Sequence, residues 1–102
     1  MPDEALAYRV AWTESAWQEL ECAASLFARD SPRYATALVE EAGSAARSLR
    51  TFPNRGRVVP EVRDKAIREL RVKSYRMIYE VRSDSVIVLS FIHGARQLCS
   101  LQ

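Results

Sequence analysis

The stretch that most restricts the fold lies near the C-terminal end. Residues 75–81 alternate cleanly, with Tyr75, Met77, Tyr79 and Val81 on one side and Arg76, Ile78 and Glu80 on the other. This is the period of a β-strand with two different faces. The turn residues Arg82-Ser83-Asp84-Ser85 follow, and residues 86–92 are then apolar on both faces. A strand of that kind belongs inside a sheet with cover on each side. The chain therefore needs a β-hairpin in a sheet, and something apolar to lay across it.

The N-terminal half supplies the cover. Tyr8, Val10 and Trp12 share one face of a short strand. Thr13 is placed as a helix N-cap, with Glu14 in the first turn where negative charge suits the helix dipole. Ala16, Trp17, Leu20, Ala23, Ala24 and Phe27 then form one apolar stripe. Ser31-Pro32 starts a second helix, as N-cap and first helical residue. Its stripe is Tyr34, Ala35, Leu38, Ala42, Ala45, Ala46 and Leu49, and the small alanines let the two helices approach closely as a hairpin. Pro53, Asn54 and Gly56 break the helix, and the segment to Asp64 is read as loop. A mixed strand over residues 66–72 and a tight Lys73-Ser74 connection lead into the alternating strand. The predicted order is β-α-α-β-β-β. It describes an α+β domain with a helical hairpin on one face of a small, mainly antiparallel sheet.

With 102 residues, the chain is expected to form a single domain over 1–102, too short to carry a separate cofactor domain. Its 48 % apolar and 27 % charged content is that of a folded globule. No apolar run approaches the ~20 residues of a membrane-crossing helix. Asp3 and Glu4 stand where a secretory signal carries positive charge, so the chain is expected to be cytoplasmic, with no membrane partner. Cys22 and Cys99 are expected as free thiols there, with Cys22 buried among the apolar residues of the first helix. The net charge of +2 hides an asymmetry. Residues 1–50 carry five bases against eight acids, and residues 51–102 carry ten bases against five acids. A basic C-terminal half suits an acidic or nucleic-acid partner.

The sheet face away from the helices is the expected working surface. Arg57, Arg68, Arg71, Arg76, His93 and Arg96 lie in or next to it. There is no Gly-rich phosphate loop, HExxH or Cys/His cluster, so neither a metal site nor a cofactor is expected. The chemistry left open is metal-free RNA cleavage. It needs a base for the 2′-hydroxyl, cations for the developing charge and an acid for the leaving oxygen. Glu61 can serve as base, Arg76 and Arg96 as cations and His93 as acid. Each has an ordinary alternative. Glu61 fits a solvated loop carboxylate, Glu69 fits a partner for a neighbouring arginine, and a lone histidine at a strand end fits a structural hydrogen bond. Neither Arg76 nor Arg96 has an obvious acidic partner in sequence. Trp12, Trp17, Phe27 and Tyr34 are read as core by their spacing.

The succession Tyr8-Arg9-Val10-Ala11-Trp12-Thr13, Ser31-Pro32, Pro53-Asn54-Arg55-Gly56-Arg57, Ile67-Arg68-Glu69-Leu70-Arg71-Val72, Tyr75-Arg76-Met77-Ile78-Tyr79 and His93-Gly94-Ala95-Arg96 resembles the ParE/RelE superfamily of type II toxin–antitoxin toxins. The resemblance spans roughly residues 8–98. It implies a cognate antitoxin that wraps the toxin and forms a hetero-oligomer with it. It also implies one of two activities: poisoning of DNA gyrase without nuclease chemistry, or cleavage of mRNA on the ribosome. An inactive, antitoxin-binding relative is a third outcome. The gyrase branch is favoured on three grounds. RelE-like nucleases carry lysines on the strand where this chain has Ile67-Arg68-Glu69, and Glu69 opposes phosphate binding there. They are more basic than +2. Many keep a Tyr or His on the C-terminal tail, and residues 97–102 contain neither. In the gyrase branch no residue is catalytic, and Arg57, Arg68, Arg71, Arg76 and Arg96 meet the antitoxin or the target. In the nuclease branch Arg76, Arg96, Glu61 and His93 are the catalytic set.

Overall fold

A computed structural model describes residues 7–95. The elements are β1 (Arg9–Trp12), α1 (Glu14–Ala28), α2 (Pro32–Ser48), β2 (Arg57–Val58), β3 (Ile67–Val72), β4 (Tyr75–Val81) and β5 (Ser85–His93). The strands form one sheet in the order β1-β5-β4-β3-β2. β1 runs parallel to β5, and the remaining pairs are antiparallel. This is the expected α+β arrangement, with one addition. Arg57–Val58 pairs with β3 inside the segment read as loop. Two residues are too few to show a period, so only the pairing reveals the strand.

Local chemistry sets the helix starts as expected. The Thr13 hydroxyl accepts from the Ala16 N–H at 3.0 Å, and the Ser31 hydroxyl accepts from the Tyr34 N–H at 3.2 Å. Each fills one of the backbone donors that a helix start leaves open. Pro32 occupies the first turn of α2. α1 buries Ala16, Leu20 and Ala23, and α2 buries Ala35, Leu38, Ala42 and Ala46. Both press on the sheet face formed by Val72, Met77, Tyr79, Val86, Val88 and Phe91. Tyr75 stacks on Phe91 with ring centroids 5.0 Å apart. Trp17 departs from its expected place in the core. It meets Trp12 edge-on at 5.6 Å but remains 45 % exposed. Cys22 also departs from expectation and is exposed on α1, because the buried stripe runs one position away through Leu20 and Ala23. Cys99 lies outside the described residues.

The opposite sheet face has its own cover. Val59, Ile78 and Ile92 form a second apolar cluster, flanked by Val62 and Ile67. The connection after β2 thus folds onto the sheet and covers part of what the sequence offered as an open face. A register shift at Ile78/Tyr79 opposes two β4 residues to three of β5, Val88 to Ser90. The extra residue, Leu89, resets the alternation of β5. Val86 and Val88 face the helices before it, and Phe91 does so after it. His93, two residues beyond Phe91, falls on that same helix side. No helix among the described residues is long and apolar enough to cross a membrane.

Candidate functional site

The ladder places the candidate residues in rows. Arg57, Glu69, Ile78 and Ser90 form one cross-strand row, and Arg71, Arg76 and Ile92 form the next. Ile78 and Ile92 belong to the cluster on the face away from the helices, so both rows look that way. Arg71 stands directly opposite Arg76, an arrangement of like charges that needs compensation.

Compensation comes from two carboxylates. Glu61 Oε1 and Oε2 each accept a guanidinium N–H of Arg76 at 2.9 Å, a bidentate fork. Glu69 Oε1 lies 2.7 Å from the same guanidinium, and its other oxygen accepts from Arg57. The Arg76 and Glu69 side chains are only 7 % and 6 % exposed. The result is an alternating chain Arg57–Glu69–Arg76–Glu61. Hydrogen bonding to Glu61 raises the Arg76 pKa against the opposing effect of burial, and Glu69 raises it further, so the guanidinium is always charged. The expectation that Arg76 lacks an acidic partner is therefore overturned. Glu61 stands 15 residues away on a loop, and Glu69 reaches Arg76 only through the strand register. The ordinary reading of Glu61 as a solvated carboxylate fails for the same reason, whereas Glu69 does pair with arginine, as expected.

The other candidates separate. Arg68 lies on the helix side, opposite Tyr79, and spends its guanidinium on backbone carbonyls. It donates to Gly56 O at 2.9 Å, Lys65 O at 3.1 Å and Asn54 O at 3.2 Å. Arg71 is exposed beside a recess of about 230 Å³ that Arg55, Arg57, Glu69 and Arg76 also line. His93 touches the Tyr75 ring edge-on at 5.6 Å, and its Nδ1 accepts from the Ala95 N–H at 3.3 Å. It lines a groove with Glu19, Cys22 and Leu26 of α1, away from Glu61 and Arg76. The structure thus brings Glu61 and Arg76 together and leaves His93 on the other side of the sheet. Arg96 lies outside the described residues. Among the described residues no group of three or more His, Cys, Asp or Glu side chains is placed to hold a metal.

The recess is backed by a tight contact. The Tyr79 hydroxyl, buried, accepts from the Gly56 N–H at 3.0 Å. A Cβ at Gly56 would lie 2.5 Å from the Glu69 carbonyl oxygen and 2.6 Å from that hydroxyl, so only glycine fits. Burial pushes the Tyr79 phenol up, against the Gly56 N–H and the charges of Arg68 and Arg55, and burial also raises Tyr75. Above a pH of about 10 the unfolded chain ionises these phenols while the folded chain keeps their protons. More protons are then bound in the folded state, so stability falls as pH rises through that window. The urea midpoint is expected to drop between pH 9 and 11, with a smaller drop in Tyr79→Phe.

Glu69 and Tyr79 are the positions that carry this arrangement without having been candidates for function. Their signal, an acid and an aromatic among basic strand residues, is visible in sequence only once the register is known. Comparison with known proteins gives the family. No curated protein sequence matches the chain. Among solved structures, a chain from the "Chromosomal ParDE TA system from P. aeruginosa" superposes with a TM-score of 0.70 at 17 % identity, covering 85 % of this chain and 96 % of that one. A chain of the toxin–antitoxin complex RelBE2 from Mycobacterium tuberculosis superposes with a TM-score of 0.58 at 25 % identity, covering 89 % and 95 %. The family model described as "ParE toxin of type II toxin-antitoxin system, parDE" matches residues 10–98, nearly all of the fold, and by that match the chain belongs to the ParE toxin family.

Proposed function

We propose that this toxin acts by binding, with DNA gyrase as its target, and that a cognate antitoxin neutralises it. The observation that carries this reading is the state of Arg76. RNA cleavage without a metal needs a preorganised cation aimed at the charge that develops on the phosphate. Here the fork of Arg76 is filled by the two oxygens of Glu61 and its flank by Glu69. A phosphate would have to displace a carboxylate already held with good geometry, beside a second buried negative charge. The separation of His93 from this cluster supports the same reading, since the acid and the base of the nuclease scheme lie on different faces. The antitoxin partner is supported by the two structural relatives, which are described as toxin–antitoxin systems.

If no residue of the chain breaks a bond, Glu61→Gln and His93→Gln keep their growth-arresting effect when expressed without antitoxin. The check is colony formation after induction, with circular dichroism to confirm the fold. Loss of toxicity in a folded variant of either residue would contradict the binding reading and return weight to ribosome-bound mRNA cleavage.

A further inference from the structure

We propose that the turn joining α2 to β2, with the exposed ring of Phe52, is the surface that grips the target, and that it seats in an apolar socket rimmed by carboxylates on a folded protein. The proposal rests on the binding reading above and supplies the contact that reading leaves unassigned. With gyrase as the target, the socket lies on gyrase.

Phe52 is 63 % exposed, although the chain is anchored on both sides of it. Leu49 is completely buried, and Pro53 is buried directly after the ring. The turn is also pinned by hydrogen bonds. The Phe52 N–H donates to Ser48 O at 3.0 Å, and the Arg55 N–H donates back to Phe52 O at 3.2 Å. The Arg55 guanidinium donates to Ser48 Oγ at 2.7 Å, and Arg68 holds the Asn54 and Gly56 carbonyls from below. Single apolar side chains on a helix surface, such as Leu26 and Val39, are ordinary. An aromatic ring presented by a fixed turn is different. It has two side-chain torsions to lose and a backbone already in place, so it suits an interface anchor. Beside it lies a hollow of about 700 Å³, walled by Phe52 and Pro53 and edged by Thr51 and Arg55.

Charge selects the partner. Residues 42–60 carry Arg47, Arg50, Arg55 and Arg57 and no acid. No acidic residue lines the hollow. Among the described residues Arg47 and Arg50 make no ion pair. A partner surface with an apolar centre and an acidic rim is therefore the complement, with burial of the ring giving affinity and the arginines giving rate and orientation. Nucleic acid fits less well. Arg55 and Arg57 already spend donors on Ser48 and Glu69, and the hollow beside the ring offers a phosphate backbone nothing.

The test is supercoiling of relaxed plasmid by gyrase, titrated with purified toxin at low and physiological salt. Phe52→Ala is expected to raise the concentration for half-inhibition about ten-fold or more while its urea midpoint stays that of the wild type. Arg50→Glu is expected to weaken inhibition as well and to flatten its salt dependence. Leu26→Ala removes an equally exposed apolar side chain from α1 and is expected to inhibit as the wild type does. Should Phe52→Ala fail to fold, Arg50→Glu decides alone. Inhibition by folded Phe52→Ala within about two-fold of the wild type overturns the turn as the gripping surface and leaves the binding reading standing. An equal loss in Leu26→Ala overturns it too. A wild-type chain that does not inhibit at saturation overturns both. Binding of a DNA duplex by the toxin alone, lost in Phe52→Ala, overturns the choice of a protein partner, and a mass doubling lost in that variant assigns the ring to a second copy instead.

Discussion

Glu69→Ala is expected to lower the unfolding free energy by about 3 kcal/mol, near the bottom of the range for breaking a buried ion pair. The reason is what the substitution strands. Arg76 is 6 % exposed, and Arg71 stands opposite it in the ladder. With Glu69 gone, Glu61 still grips the guanidinium, which keeps the loss from reaching the top of that range. Arg57 loses its carboxylate as well, but its side chain is 66 % exposed and turns to water at little cost. For a domain of this size the loss corresponds to a fall in Tm of more than about 10 °C. Replacing the pair, Glu69→Leu with Arg76→Met, removes the stranded guanidinium but also takes the bidentate fork from Glu61, whose side chain is 26 % exposed, so it is expected to recover only part of the loss. Urea denaturation of the three proteins is the check. A Glu69→Ala midpoint equal to the wild type's would mean that the alternating chain of charges does not hold the face together.

Leu38→Ala is expected to cost about 3–4 kcal/mol. Leu38 is completely buried on α2, in the core between the helical hairpin and the sheet. Its neighbours in the stripe are alanines, Ala35 and Ala42, which are too short to reach into the space. The lost transfer energy and the cavity therefore both count. Leu26→Ala provides the contrast. Leu26 is 62 % exposed, and its loss is expected to stay within about 0.5 kcal/mol. Comparable losses at the two leucines would place the packing surface of the hairpin elsewhere.

Much of this architecture was legible in the residues. Thr13 and Ser31 announced the helices because caps act within three residues. Residues 75–81 announced β4 by their alternation, although both faces of the strand are covered and Arg76, Met77, Ile78 and Tyr79 are all buried. What stayed hidden depends on relations between distant segments. The bulge at Leu89 reverses the facing of His93, and nothing in a run of apolar residues marks the extra one. Two residues of β2 carry no period. Glu61 meets Arg76 because the segment after β2 is drawn onto the sheet by Val59 and Val62, a tertiary event. Cys22 and Trp17 fell one position outside the buried stripe, a shift of about 100° around a helix, which apolar spacing resolves poorly.

The most direct measurement is supercoiling of relaxed plasmid by gyrase in the presence of the purified, antitoxin-free toxin. If the chain works by binding, with Arg76 held by its own carboxylates, supercoiling is inhibited, and Glu61→Gln inhibits equally well. Full supercoiling at saturating toxin, together with new mRNA ends on translating ribosomes, would contradict that account and make Glu61 and Arg76 a working catalytic pair.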